Sequence, residues 1–272
     1  MKKPEVVKEF VTKTYSVPCN YYIQREFLGL ASAISLAGPD LTDEPVLVIL
    51  GDTIFEADMK PVLQSGYTSI AVKEVADPRR LGIVEVDDQG FITKLIEKPK
   101  DPKTKLALVG VYYFRQGNIL TEAIRELHKR NIKTNGEYQI TDAIQLMVES
   151  GEKIRPFKLT GWYDCGTVES FLESNQYLVT LNPCRKKWKN ALIIGDNYIP
   201  DSVTLDHAVV GPFVSLGEHV NISHSIVENS IIDDNTHITH MSIKNSIIGS
   251  HVKLHGTPLE VNIANYSVVT QK

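Results

Sequence analysis

From residue 194 onward the chain places an aliphatic side chain at every fifth or sixth position, and no other feature limits its fold so tightly. The series runs Ile194, Ile199, Leu205, Val210, Leu216, Ile222, Val227, Ile232, Ile238, Ile243, Ile248, Leu254 and Leu259, with no polar member. Asn229-Ser230-Ile231-Ile232 recurs as Asn245-Ser246-Ile247-Ile248, so the stretch is also self-similar. A period near six reads as one inward side chain per short strand, with three strands to a triangular coil. Thirteen inward positions make about four coils. Each coil can bury its aliphatics only against its neighbours, so residues 190–265 are expected to form a left-handed parallel β-helix of hexapeptide-like repeats that behaves as one rod. The competing reading is a run of ordinary β-hairpins that fits because both five- and six-residue steps are allowed.

Residues 1–183 have a different texture. Val6, Val7, Phe10 and Val11 mark one face of a first helix, Tyr21 to Gln24 reads as a strand, and Leu28 to Leu36 as a helix. Val46 to Leu50 reads as a buried strand ending in Gly51-Asp52, and Ser69 to Val75 as another. Ile83–Val86 and Phe91–Lys98 alternate around Asp87-Asp88-Gln89-Gly90, a hairpin signal. A strand over Leu106–Phe114 and helices over Ile119–Lys129 and Thr141–Ser150 follow, then strands at Ile154–Leu159 and Trp162–Asp164 and a helix from Val168 to Leu181. Strands alternating with helices imply a layered, Rossmann-like α/β domain with a mixed, mostly parallel sheet.

Composition matters mainly for what it excludes. A net charge of −4 makes no electrostatic case for nucleic acid or an anionic membrane surface. Cys19, Cys165 and Cys184 are odd in number and far apart, which suggests a reducing compartment without a disulfide framework. No apolar run is long enough to span a bilayer, and a cytoplasmic location is expected.

Four elements could carry chemistry. Leu50-Gly51-Asp52 puts a carboxylate just past the C-terminal end of a strand, where open α/β sheets bind ligands and where a hard cation such as Mg²⁺ finds acidic ligands. By itself Asp52 reads sooner as a cap of the next turn. Trp162-Tyr163-Asp164-Cys165-Gly166-Thr167 offers a second strand-end carboxylate, with a turn aspartate as its plainer reading. Glu97-Lys98-Pro99 closes a strand, and strict alternation puts Glu97 and Lys98 on opposite faces unless the strand bulges. Gly29 precedes a helix, and either lets backbone approach a ligand or simply turns the chain.

The order of the motifs is more specific than any one of them. Gln24-x-x-x-x-Gly29-Leu-Ala, Leu50-Gly-Asp52, Leu81-Gly82-Ile-Val-Glu85, Glu97-Lys98-Pro99, Val109-Gly-Val-Tyr112, Gly136-Glu137-Tyr-Gln-Ile-Thr-Asp142 and Trp162-Tyr-Asp164-Cys-Gly-Thr167 together resemble the sugar-1-phosphate nucleotidyltransferases, over Pro4 to Leu181. Glucose-1-phosphate thymidylyltransferases and their uridylyl relatives are the nearest in pattern. The resemblance implies transfer of a nucleotidyl group from dTTP or UTP to a sugar 1-phosphate, giving an NDP-sugar and pyrophosphate. It implies Gln24 and Gly29 at the base, Asp52 with the nucleotide, and Asp52 and Asp164 on Mg²⁺. It further implies Gly82, Glu97, Val109 and Glu137 at the sugar and Lys98 at its phosphate, with Lys98 and Asp52 as the catalytic pair. A homo-oligomer without nucleic-acid or membrane partners is expected.

Members of that family begin with a strand and a Gly-x-Gly-Thr-Arg-Leu-x-Pro loop that cradles the triphosphate, and nothing of that kind precedes Lys2. The resemblance is therefore to an N-terminally truncated member, expected to show little turnover alone and to expose an apolar groove. A split gene with a separate N-terminal fragment or a misassigned start, completion in trans by a partner subunit, or a decayed non-catalytic paralogue would each account for this, and a non-catalytic regulatory subunit that binds sugar nucleotides is an alternative reading. Seven of the eight histidines, His207, His219, His224, His237, His240, His251 and His255, fall in the coiled tail. They raise a β-helix acyltransferase as an alternative, against the plainer expectation that they occupy outward or corner positions on a solvated rod.

Overall fold

The computed structural model describes residues 4–184 and 186–257, and the chain divides into two compact units after Trp162. Leu259 of the aliphatic series lies outside the described residues. Among the described residues no helix is long and apolar enough to cross a membrane.

The first unit contains α1 (Pro4–Thr14), α2 (Leu30–Ser35), β1 (Val46–Ile49), β2 (Thr53–Glu56), α3 (Met59–Gln64), β3 (Thr68–Glu74), β4 (Gly82–Val86), β5 (Ile92–Glu97), β6 (Leu106–Phe114), α4 (Gly117–Lys129), α5 (Ile140–Glu149), β7 (Ile154–Lys158) and the start of β8 (Gly161–Asp164). Its main sheet has the order β5-β4-β6-β3-β7, with β1 also paired to β6. The sheet is mixed, as expected, but it is not mostly parallel. The long strand β6 runs antiparallel to β1, β3 and β4, β4 and β5 form the antiparallel hairpin, and only β3–β7 is parallel among the described pairs. The element string could not show this, because it hides which strands become neighbours of β6. The hairpin forms where Asp87 accepts through Oδ1 from the amides of Gln89 and Phe91 while Gly90 adopts φ 81°.

Side-chain parity on these strands builds two cores. Ile70, Val72, Leu108, Tyr112 and Phe114 face α4 and α5, which answer with Leu120, Ala123, Ile124 and Leu127 and with Ile140, Ala143, Ile144 and Met147, spaced three and four apart. Ala71, Val109 and Val111 face the other way and pack with Phe55, Phe157 and Trp162. The β3–β6 register slips by two residues between Ile70 and Val72, and an even slip leaves every face unchanged.

Two expectations fail near the N-terminus. Tyr21–Gln24 is not a strand: Asn20 and Tyr22 donate to Asp40 Oδ2 and Gln24 donates to the Gly29 carbonyl, so side chains rather than a ladder hold it. The β1 strand is not buried on both faces, for Leu47 is 42% exposed and Ile49 46% exposed, and the apolar residues Val6, Val7 and Phe10 of α1 are open too.

The second unit opens with the end of β8 and α6 (Val168–Leu181), whose start is fixed by a capping box between Thr167 and Ser170. Then come, among the described residues, eleven short strands, β9 (Ala191–Ile193), β10 (Thr204–Asp206), β11 (Ala208–Val210), β12 (Ser215–Leu216), β13 (Asn221–Ser223), β14 (Ile226–Glu228), β15 (Ile231–Ile232), β16 (His237–Thr239), β17 (Ser242–Lys244), β18 (Ile247–Ile248) and β19 (Lys253–His255). They stack as three parallel sheets, β10-β13-β16-β19, β9-β11-β14-β17 and β12-β15-β18, which is a parallel β-solenoid of about four turns. Leu205 pairs with Ile222 and Ile222 with Ile238, so a coil takes 17 or 16 residues, made of five- and six-residue steps. The inward series is buried from Ile199 to Ile243. Its first member is corrected: Ile194 is 43% exposed, and its neighbour Ile193, which pairs with Val210, packs against the core instead. Ile193 ends a strand aligned with the coil above, whereas Ile194 already belongs to the turn.

Two positions before each of these aliphatics from Ile199 to Ile238 lies a second buried row, apolar at Val203, Ala208, Val214 and Val220 and polar further along the rod. Ser225, Ser230 and Thr236 are buried, and each spends its hydroxyl on the backbone: Ser230 Oγ donates to the Glu228 carbonyl and accepts from the Ser246 amide one coil on. Small polar residues fit there because every hydrogen bond is met inside the stack.

Candidate functional site

Three of the residues named for the sugar and its phosphate, Gly82, Glu97 and Lys98, are brought together by glycine close approach. Gly82 pairs with Glu97 across the hairpin, and a Cβ at Gly82 would fall 2.8 Å from Leu108 Cδ1, 3.0 Å from Glu97 Oε2 and 3.1 Å from Thr141 Oγ1. Only the missing side chain leaves room for the carboxylate, so Gly82 shapes this corner of the sheet. Thr141 Oγ1 donates to Glu97 Oε2 at 2.7 Å, which fixes the carboxylate on one side. On the other, Lys98 Nζ lies 3.9 Å from Glu97 Oε1. Strict alternation would have separated these two charges. Lys98 instead adopts φ 45°, and its amide donates to the Leu81 carbonyl, so the chain turns as β5 ends and both side chains share a side.

Behind this carboxylate stands Tyr112, buried on β6 and given no role by the sequence. Burial pushes its hydroxyl up from the ordinary phenol range, and the negative charges of Glu97 and then Asp52 push it further. It therefore stays protonated, a fixed neutral group within the field of both carboxylates. Asp52 sits in the turn between β1 and β2, exposed, in a loop anchored by Leu50 N donating to Gly110 O at 2.9 Å. Gly110, with φ 76°, lets that loop close on β6, since a Cβ there would lie 2.7 Å from Thr53 Oγ1. Val109, one residue before it, is 2% exposed with its side chain in the second core of the sheet.

A second group of named residues meets at Gly29. Its φ of 109° and the absence of a Cβ, which would fall 2.5 Å from the Tyr138 carbonyl oxygen, allow α2 to start against the Glu137–Tyr138 backbone. Tyr138 N donates to Leu28 O and Ala31 N to Tyr138 O, so the Gln24–Gly29 segment and Glu137 are tied by main chain. Gln24 Nε2 donates to the Gly29 carbonyl at 3.2 Å, and Glu137 Oε2 accepts from Gln139 Nε2. Gln24 also borders a depression of about 370 Å³ shared with Leu28, Ser32, Ser35, Leu36 and His128. His128 hydrogen-bonds Ser32 Oγ at 2.9 Å, and burial lowers its pKa. Asp142, at the end of the Gly136–Asp142 motif, is pushed up by burial, opposed by a hydrogen bond from Thr134, and its Oδ2 has no partner.

Asp164 lies in the second unit, where it closes β8. Its Oδ1 accepts from Gly166 N at 3.1 Å and its carbonyl accepts from Ser174 Oγ of α6. This is the turn arrangement that its local sequence allowed, and the helix cap itself falls to Thr167. Sequence reasoning missed Tyr112 and Thr141. Both were quoted within motifs, but neither a tyrosine inside an apolar run nor a threonine on a helix announces the carboxylate it faces.

Comparison with known proteins agrees on a single family. The Nucleotidyl transferase family model matches residues 2–180. The low-salt glycan biosynthesis nucleotidyltransferase Agl11 of Haloferax volcanii is 33% identical over 246 residues, covering 80% of this chain and 68% of that protein. A glucose-1-phosphate thymidylyltransferase of Streptomyces antibioticus is 31% identical over 245 residues, covering 80% and 67% respectively. The crystal structure of a UDP-glucose pyrophosphorylase complexed with UDP-glucose superposes with a TM-score of 0.51 at 26% identity, over 64% of this chain and 71% of that one.

Proposed function

The chain belongs to the nucleotidyl transferase family, and from that premise we propose that it serves the transfer of a nucleotidyl group from dTTP or UTP to a sugar 1-phosphate. In this reaction an oxygen of the sugar phosphate attacks the α-phosphorus, the bond from that phosphorus to the β-phosphate breaks, and pyrophosphate leaves as the NDP-sugar forms. Such chemistry asks for positioning and charge neutralisation more than for acid–base groups.

The observation that carries the reading is the corner made by Gly82, Glu97, Thr141 and Lys98. A carboxylate held by a threonine on one oxygen, beside a glycine that leaves space, is suited to accept hydrogen bonds from sugar hydroxyls. The Lys98 ammonium beside it is suited to the phosphate on the same sugar. Glu137 and the backbone of Val109 complete the proposed sugar contacts, and Gln24 with Gly29 is assigned to the pyrimidine. Asp52 and Lys98 are proposed to act on the reacting phosphates.

The proposal includes Mg²⁺, for which Asp52 and Asp164 are each suited as a carboxylate ligand. The donor chemistry fits a hard cation: Asp52 is an exposed carboxylate, and at Asp164 the local hydrogen bond engages Oδ1. When bound, the ion would neutralise phosphate charge. The test is calorimetric titration of the chain with dTDP-glucose, UDP-glucose and GDP-glucose in the presence of Mg²⁺. Saturable binding of the pyrimidine forms is expected, weakened roughly tenfold by Gln24→Ala, as for one lost hydrogen bond of about 1.4 kcal/mol. Absence of binding by all three ligands would overturn the reading.

A further inference from the structure

The β-solenoid carries a feature that nucleotidyl transfer does not use: a column of histidines on one corner. His207, His224 and His240 follow one another on successive coils, each at a turn with φ of 48°, 48° and 56°. Their rings stack, with centroids 5.0 Å apart and planes 10° apart for His207–His224, and 4.9 Å and 16° for His224–His240. His255 extends the column edge-on, 5.6 Å from His240.

Backbone conformation does not explain this choice of residue. Left-handed turn positions favour asparagine at least as well as histidine, and asparagine is what stands at equivalent turns of the same rod. Asn229 and Asn245 have φ of 41° and 51° and form their own ladder, Asn229 Nδ2 donating to Asn245 Oδ1 at 2.8 Å. Another turn series reads His219, Asn235, His251, so the two residue types exchange freely there. Three successive histidines at one corner, with an aspartate beside the first, supply something that asparagine cannot: imidazole nitrogens stacked on successive coils close to one carboxylate.

The first two coils of the column also hold a carboxylate. Asp206 ends β10, and its Oδ1 accepts from Asn190 Nδ2 at 3.0 Å and meets His207 Nδ1 at 3.0 Å. The hydrogen bond to His207 holds the Asp206 carboxyl below the usual carboxylate range, aided by that from Asn190 and by the nearby imidazoles. His224 N donates to the Asp206 carbonyl at 3.0 Å, so main chain fixes the second histidine one coil above the aspartate. One ligand atom from each of Asp206, His207 and His224 lies within 4.8 Å of the other two.

We propose that Asp206, His207 and His224 form a site for a late first-row divalent cation such as Zn²⁺, built on the solenoid corner. Two imidazoles and one carboxylate are a ligand set that suits zinc, with an exposed fourth position left to water. Bonds of about 2.0–2.1 Å to a tetrahedral ion need the donors about 3.4 Å apart. The His207 and His224 side chains are exposed and Asp206 is half-buried, so rotation about their side-chain bonds closes the remaining distance without moving the coils. The stacked His240 ring shields one side of His224. The site belongs to the second unit alone and stands or falls independently of sugar-nucleotide binding.

The experiment is calorimetric titration of the full chain with ZnCl₂ alone, in a buffer free of phosphate and chelators. The parent chain is expected to show a binding event that His224→Asn and Asp206→Asn each weaken by roughly tenfold or more. Asparagine keeps the turn, as Asn229 and Asn245 demonstrate, so unchanged far-ultraviolet circular dichroism separates ligand loss from unfolding. His251→Asn, on another corner, is expected to leave the event intact. No zinc uptake by the parent, or equal uptake by a folded His207→Asn/His224→Asn double variant, would overturn the proposal.

Discussion

The solenoid and the sheet of the first unit solve the same problem of burying apolar surface by opposite means. In the solenoid every contact repeats 16 or 17 residues later, so Leu205, Ile222 and Ile238 stack on one another and each coil needs only its neighbours. In the sheet the decisive pairings are distant: β6 binds β1, β3 and β4, and Thr141 reaches Glu97 from a helix 44 residues on. The first arrangement builds its core from one repeated contact. The second makes a corner where one glycine, one carboxylate and one lysine meet a single time.

The contrast can be broken most severely inside the rod. Ile222 is fully buried, and Ile222→Ala is expected to cost about 2–5 kcal/mol, read as a lowered denaturant midpoint of the second unit. A cost under about 1 kcal/mol would mean that the coils relax around the cavity and are not tightly stacked. Next comes Gly29→Ala in the first unit, where positive φ and a Cβ 2.5 Å from the Tyr138 carbonyl predict a loss of about 1–3 kcal/mol from strain. That variant should also disturb Gln24, so ligand binding and stability should fall together.

A smaller effect is expected at Glu152, where burial raises the carboxyl pKa but hydrogen bonds from Arg115 and Thr68 outweigh it, so the net shift is downward. A lowered folded-state pKa contributes stability that is complete above the unfolded value, near pH 4.3, and is lost as pH falls through the folded one. Glu152→Gln should therefore cost about 1 kcal/mol at neutral pH and progressively less below about pH 4, measured by denaturation at several pH values. The smallest effect belongs to His219→Asn on an exposed turn of the rod, expected within about 0.5 kcal/mol of the parent by the same denaturation.

The same contrast explains what could be read in advance. Periodicity alone gave the rod, its coil count and its buried row, because a repeating contact leaves a repeating residue. Its error among the described residues, Ile194 for Ile193, arose where the series starts and has no earlier coil to align it. The polar members of the second row, Ser225, Ser230 and Thr236, escaped because their burial rests on hydrogen bonds, which a hydrophobic pattern cannot show. In the sheet, element types were mostly legible but strand direction was not, since antiparallel pairing on β6 depends on which distant strands flank it. Lys98 illustrates the limit best: alternation placed it opposite Glu97, and a single positive φ reversed that. Tyr21–Gln24 has the residues of a strand but found no ladder partner among the described residues.

The functional account rests on Glu97 as the carboxylate that reads the sugar, held there by Thr141 and by the space at Gly82. Its most direct test is the affinity of Glu97→Gln for the pyrimidine nucleotide sugar that the parent chain binds, with thermal stability followed in parallel. The prediction is a loss of roughly tenfold or more, as for a hydrogen bond to a charged group, at nearly unchanged melting temperature. Equal affinity in a variant that folds as well as the parent would contradict it.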